Sequence, residues 1–106
     1  MDADIPPPVV LFVDDEPSTL SALRRLVRPV GYRCLLASSG AEGLALLATE
    51  PVDVVVSDMR MPEMDGAAFL EQVHALHPEV GRILLTGYAD IQTTVAAANL
   101  GQIQRY

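Results

Sequence analysis

The stretch from Val54 to Gly66, VVVSDMRMPEMDG, carries three consecutive valines into Ser57-Asp58 and then turns through Met61-Pro62. A valine run of this kind suits a strand buried on both faces, and such strands belong to parallel sheets covered by helices. The acid that ends it is either a turn residue or helix cap, or a group set at a sheet edge for chemistry. The neighbouring segments bear on that choice.

Working outward, Val9 to Val13 is a second continuous apolar run, and it stops at Asp14-Asp15. Pro17 and Ser18 then open a segment with apolar residues at Leu20, Leu23, Leu26, Val27 and Val30, which is helical spacing, with Pro17 in the first turn where its missing N–H does no harm. The alternation repeats. Residues 32–37 read as a strand, Ser39 caps a helix through about Thr49, Val52 to Ser57 reads as the third strand, and Asp65 caps a helix from Gly66 to about Leu76. Arg82 to Thr86 reads as a fourth strand and Asp90 to about Asn99 as an alanine-rich helix stopped by Gly101. Residues 102–106 begin a fifth strand. The class is α/β, a doubly wound parallel sheet, for which the expected strand order is 2-1-3-4-5. In that order the first and third strands are neighbours where the winding reverses, and ligands bind at the carboxyl ends of the strands there.

A chain of 106 residues suits one domain. Its net charge of −7 argues against direct binding of nucleic acid, which needs a basic surface, and favours a cation or a basic partner. Much of that charge also serves as solvated surface. No apolar run approaches the roughly 20 residues that span a bilayer, and the acidic, proline-rich start is unlike a secretory signal. The expected location is the cytoplasm, without a membrane. Cys34, the only cysteine, lies in an apolar run and reads as a buried, inert thiol. All seven basic residues are arginine, and there is no lysine.

Three carboxylates then share one crevice: Asp14 and Asp15 after the first strand and Asp58 after the third. Like charges this close raise one another's pKa, and such clusters persist where a cation neutralises them. Exposed oxygen ligands suit Mg²⁺ (or Mn²⁺), which keeps several waters and takes one or two carboxylates together with a substrate phosphate. A phosphoryl donor held there can transfer in line to a carboxylate oxygen. Asp58 stands alone and reads as the nucleophile, whereas the pair Asp14-Asp15 suits the metal. Thr86, ending the fourth strand, can offer its hydroxyl to the phosphoryl oxygens, and Gly87 leaves room for them.

Read together, VVLFVDDEP, VVVSDMRMPEMDG and ILLTGYAD resemble, at the right spacing, the receiver domain of bacterial two-component response regulators. The resemblance spans the whole chain. It implies a flavodoxin-like (βα)5 fold that takes a phosphoryl group from a histidine kinase or phosphotransfer protein onto Asp58. It also implies Mg²⁺ held by the carboxylates of Asp15 and Asp58, by the backbone carbonyl of Arg60, and by Asp14 directly or through water. Thr86 would be the switch hydroxyl and Tyr106 the switch aromatic, while Met61-Pro62 and Asp65-Gly66 serve the shape of the loop and helix start. The family places a lysine shortly after the switch aromatic, and Tyr106 is the last residue here. The expectation is therefore a C-terminally incomplete receiver domain over residues 1–106, cut short at the fifth strand and lacking the fifth helix. The output domain would lie C-terminal to it, and a homodimer or element swap would cover the apolar sheet face left open. Arg60 and Tyr88, each two residues beyond a site residue, are candidates for gating the water that hydrolyses the aspartyl phosphate. For Arg60, a surface pair with Glu63 is the plainer alternative.

Two other functions compete with the phosphoacceptor. A haloacid-dehalogenase-like phosphatase also uses an Asp after a buried strand, but it carries a second Asp two residues on, where this chain has Arg60. A degenerate receiver would keep the fold as a docking or dimerisation module without phosphorylation. His74 and His77 read as favourable charges at a helix C-terminus. Met59, Met61 and Met64 read as packing residues, and Leu44, Leu46 and Leu47 as core.

Overall fold

The computed structural model describes residues 6–85 and the backbone of residues 104 and 105. Five strands form one sheet, β1 (Val9–Val13), β2 (Arg33–Ala37), β3 (Val54–Asp58), β4 (Gly81–Leu85) and the short β5 (Gln104–Arg105). They lie in the order β2-β1-β3-β4-β5, all parallel, as the alternation of strand and helix predicts. Among the described residues, three α-helices lie between β1 and β4: α1 (Pro17–Val27), α2 (Gly40–Thr49) and α3 (Gly66–Leu76). The expected helix at residues 90–99 lies outside the described residues.

Alternation along the strands divides the core in two. Leu11, Val13, Val55 and Leu84 pack with Leu47 of α2 and with Phe69, Leu70 and Val73 of α3. On the opposite face Val10, Phe12 and Val56 pack with Leu20 of α1. Met59 and Met61 are buried in the first cluster and Met64 packs against it, so the methionines do pack. Leu47 is buried, whereas Leu44 and Leu46 are half-buried against the same cluster.

Several boundaries differ from the sequence reading for physical reasons. Helix α1 ends at Val27 rather than continuing to Val30, and a single 3₁₀ turn, Arg28–Val30, follows. Pro29 has no N–H to continue the α-helical ladder. Gly31, at φ 86°, then reverses the chain into β2. Strand β3 starts at Val54 because Asp53 does another job: its N–H donates to Val9 O at 2.9 Å and its Oδ2 accepts from Val9 N at 2.8 Å. The side chain thus continues the β1–β3 pairing at the strand entrance.

Cys34 is half-buried rather than fully buried, and desolvation pushes its thiol up. Strand β4 is buried on only one face. Ile83 and Leu85 are half-buried and help line an apolar groove of ≈ 360 Å³ beside α1. No helix among the described residues is long and apolar enough to cross a membrane.

Candidate functional site

Register brings the acids together. Val13 of β1 pairs with Ser57 of β3, so the next residues of the two strands are Asp14 and Asp58. Asp15 follows on the loop into α1. One carboxylate oxygen from each of Asp14, Asp15 and Asp58 lies within 4.8 Å of the others. Asp14 is buried, Asp58 half-buried and Asp15 exposed, so the cluster opens from the sheet edge to solvent.

Local hydrogen bonds fix each strand exit. The Asp14 N–H donates to Ala37 O at 3.1 Å, extending the β1–β2 pairing one residue past the strand. Its Oδ1 accepts from Glu16 N at 2.9 Å, which turns the chain toward Pro17 and the start of α1. Across the crevice, Met59 N donates to Leu85 O at 3.2 Å and Gly66 N to Met59 O at 2.8 Å. Asp65 caps α3 as expected, its Oδ1 accepting from Ala68 N at 2.8 Å. The loop between is tight. Met64 N reaches back to Pro62 O at 2.7 Å across Glu63, whose φ is 70°. That is a γ-turn with positive φ, a conformation costly for a residue with a side chain.

Burial raises the Asp58 pKa above the ordinary carboxylate value, the Asp14 charge adds to the rise, the Met59 and Arg60 amides oppose it, and the Asp15 charge raises it further. Burial likewise raises Asp14, against the hydrogen bond from Glu16, with Asp15 adding to the rise. The site therefore holds negative charge at a cost that a bound cation would relieve. The donor set is all oxygen and partly open to solvent, which is the chemistry of a hard divalent ion. One oxygen of each residue lies within 4.8 Å of the others, so a single small divalent ion is within reach of all three, with water completing its shell.

Of the residues singled out in the sequence, Asp14, Asp15 and Asp58 meet, and Arg60 is exposed two residues beyond Asp58. Thr86, Gly87, Tyr88 and Tyr106 lie outside the described residues. Two site-building residues escaped the sequence reading. Ser57 is fully buried, and its hydroxyl donates to Asp58 O at 2.9 Å. Gly66 was read only as a helix start, yet a Cβ there would stand 2.1 Å from Asp58 O. The sequence signal for Ser57 was a lone polar residue at the end of an apolar strand, which on its own is ambiguous.

Comparison with known proteins identifies the family and the fold. The family model for the response regulator receiver domain matches residues 10–104. The transcriptional regulatory protein GlrR of Escherichia coli K12 is 41% identical over 95 residues, covering 90% of this chain and 21% of that protein. The DNA-binding transcriptional regulator NtrC of the same organism is 39% identical over 93 residues, covering 88% of this chain and 20% of its own length. The chain thus spans about a fifth of the length of these relatives. Among solved structures, the signal receiver domain of an HD domain-containing protein from Pseudomonas fluorescens Pf-5 superposes with a TM-score of 0.89 at 38% identity, over 94% of this chain and 80% of that one.

Proposed function

The chain belongs to the response regulator receiver family, and from that premise we propose that Asp58 is its phosphoacceptor. Membership makes it a signalling module rather than an enzyme that turns over a substrate. The observation that carries the proposal is the meeting of Asp58 with Asp14 and Asp15 within 4.8 Å at the carboxyl ends of adjacent strands.

In the proposed reaction an Asp58 Oδ attacks the phosphorus of a phosphohistidine, the P–N bond breaks toward the imidazole, and an acyl phosphate forms on Asp58. Asp15 and Asp58 would hold Mg²⁺ through carboxylates, Arg60 through its backbone carbonyl, and Asp14 directly or through water. When bound, the ion would neutralise the crowded carboxylates and the charge of the incoming phosphoryl group. The Met59 and Arg60 amides favour the ionised form of the acceptor carboxylate. Thr86 would then follow the phosphoryl oxygens as switch hydroxyl and Tyr106 turn inward as switch aromatic. Arg60 and Tyr88 would crowd the hydrolytic water and lengthen the life of the acyl phosphate. The donor would be a histidine kinase or phosphotransfer protein in the cytoplasm, and the response would pass to an output domain of the same protein or to a partner.

Incubation with acetyl phosphate and Mg²⁺ tests this reading. A retained phosphoryl group, stable to acid and labile to base, is the expected result. Rapid release of phosphate would support a phosphatase instead, and absence of label a degenerate docking module.

A further inference from the structure

We infer that Ser57 is a positioning residue for the acceptor, because its hydroxyl helps hold the peptide plane that follows Asp58. The inference rests on the reading of Asp58 as phosphoacceptor.

Ser57 is 0% exposed, the one fully buried polar side chain among the described residues. By strand alternation with Val55 it faces α3. Its Oγ donates to Asp58 O at 2.9 Å. Gly66, in the first turn of α3, approaches the same oxygen so closely that a Cβ there would stand 2.1 Å from it and 2.9 Å from the Asp58 carbonyl carbon. At the other end of this peptide plane, Met59 N donates to Leu85 O at 3.2 Å. The plane is thus held at its carbonyl by β3's own hydroxyl and at its N–H by β4.

The next plane is held as well, since Met59 O accepts from Gly66 N at 2.8 Å. The consequence reaches the site, because these two planes follow directly on the Cα that carries the Asp58 carboxylate, and their amides, of Met59 and Arg60, lower its pKa against the effect of burial. A carbonyl free to rotate would carry the Met59 N–H with it, since the peptide unit is planar. It would then misdirect the carboxylate oxygen that attacks phosphorus, and small misplacements of a reacting atom are costly in rate. A fully apolar residue at position 57 would pack as well against α3. The hydroxyl therefore has a use that burial alone does not explain.

The test measures phosphorylation by acetyl phosphate with Mg²⁺, following intact mass over time, for the wild type, Ser57→Ala, and the isosteric pair Ser57→Thr and Ser57→Val. Ser57→Ala is expected to lower the rate at saturating donor about fivefold, with the half-saturating donor concentration little changed, while loss of the buried hydrogen bond also lowers the melting temperature by a few degrees. Ser57→Thr should be faster than Ser57→Val by a similar factor, because both add the same bulk and only threonine keeps the hydroxyl. Where the branched pair fails to fold, the comparison of Ser57→Ala with wild type decides. Equal rates for Ser57→Ala and wild type, or for the Thr and Val variants, overturn the inference while leaving Asp58 as acceptor. A wild type that takes no phosphoryl group overturns the Asp58 reading itself, and this inference with it.

Discussion

A Cβ at Gly66 would stand 2.1 Å from the carbonyl oxygen of Asp58, so the first turn of α3 can rest on the Asp58 backbone only because position 66 has no side chain. Gly66→Ala must push α3 away from β3. The expected cost is about 2–3 kcal/mol of folding free energy, at the upper end of overpacking effects, together with slower phosphorylation. Urea denaturation checks the first part, and an unchanged midpoint would show that the contact relaxes freely.

Glu63 sits at φ 70° in the turn that connects β3 to α3. Removing its Cβ lessens the strain but adds freedom to the unfolded chain, so Glu63→Gly should raise stability by no more than about 1 kcal/mol. A β-branched replacement has no such compensation, and Glu63→Ile should lower stability by about 1–2 kcal/mol. Denaturant curves for the two variants should move in opposite directions.

The raised pKa values of Asp14 and Asp58 fix the sign of a pH effect in the metal-free protein. Between the unfolded carboxylate pKa, about 3.9, and the raised folded value, the native state binds more protons than the unfolded state. These two groups therefore reduce stability as pH rises through that window, and the penalty persists at neutral pH. Asp58→Asn should be more stable than wild type at pH 7 in EDTA, and the difference should shrink as pH falls and vanish only below about pH 3, where both states of the wild type are protonated.

Mg²⁺ should reverse that order. At one hundred times its dissociation constant the ion adds about 2.7 kcal/mol to the wild type, and this gain should shrink as the pH falls toward the carboxylate range. Asp14→Asn, Asp15→Asn and Asp58→Asn should each weaken the gain. Thermal melts with and without Mg²⁺ at several pH values measure both effects.

Asp53 offers a test away from the chemistry. Its Oδ2 accepts from the buried Val9 N–H at 2.8 Å, and Asp53→Ala removes that acceptor. A loss of about 1–2 kcal/mol is expected, with phosphorylation of Asp58 unaffected.

How much of this was legible in the chain follows from which signals are local. The valine run before Asp58, the apolar run before Asp14 and the caps at Ser39 and Asp65 depend on near neighbours in sequence, and from them the strands, helices and sheet order follow. The meeting of Asp14 and Asp58 was legible too, because strand order plus the ends of two apolar runs are enough to predict it. The roles of Ser57, Asp53 and Gly66 were not. Each depends on a backbone atom whose position is set by three-dimensional packing: a carbonyl turned toward α3, an amide at the entrance of β1, and the approach of one helix to one strand. The end of α1 was overextended because Val30 kept the helical spacing that Pro29 interrupts.

The central claim is that Asp58 accepts the phosphoryl group, and borohydride trapping tests it most directly. The chain is incubated with acetyl phosphate and Mg²⁺, reduced, digested and sequenced by mass spectrometry. The account predicts homoserine at position 58 alone, dependent on the divalent ion and absent in Asp58→Asn. Homoserine at another acid, or none in a folded protein shown to bind Mg²⁺, would contradict it.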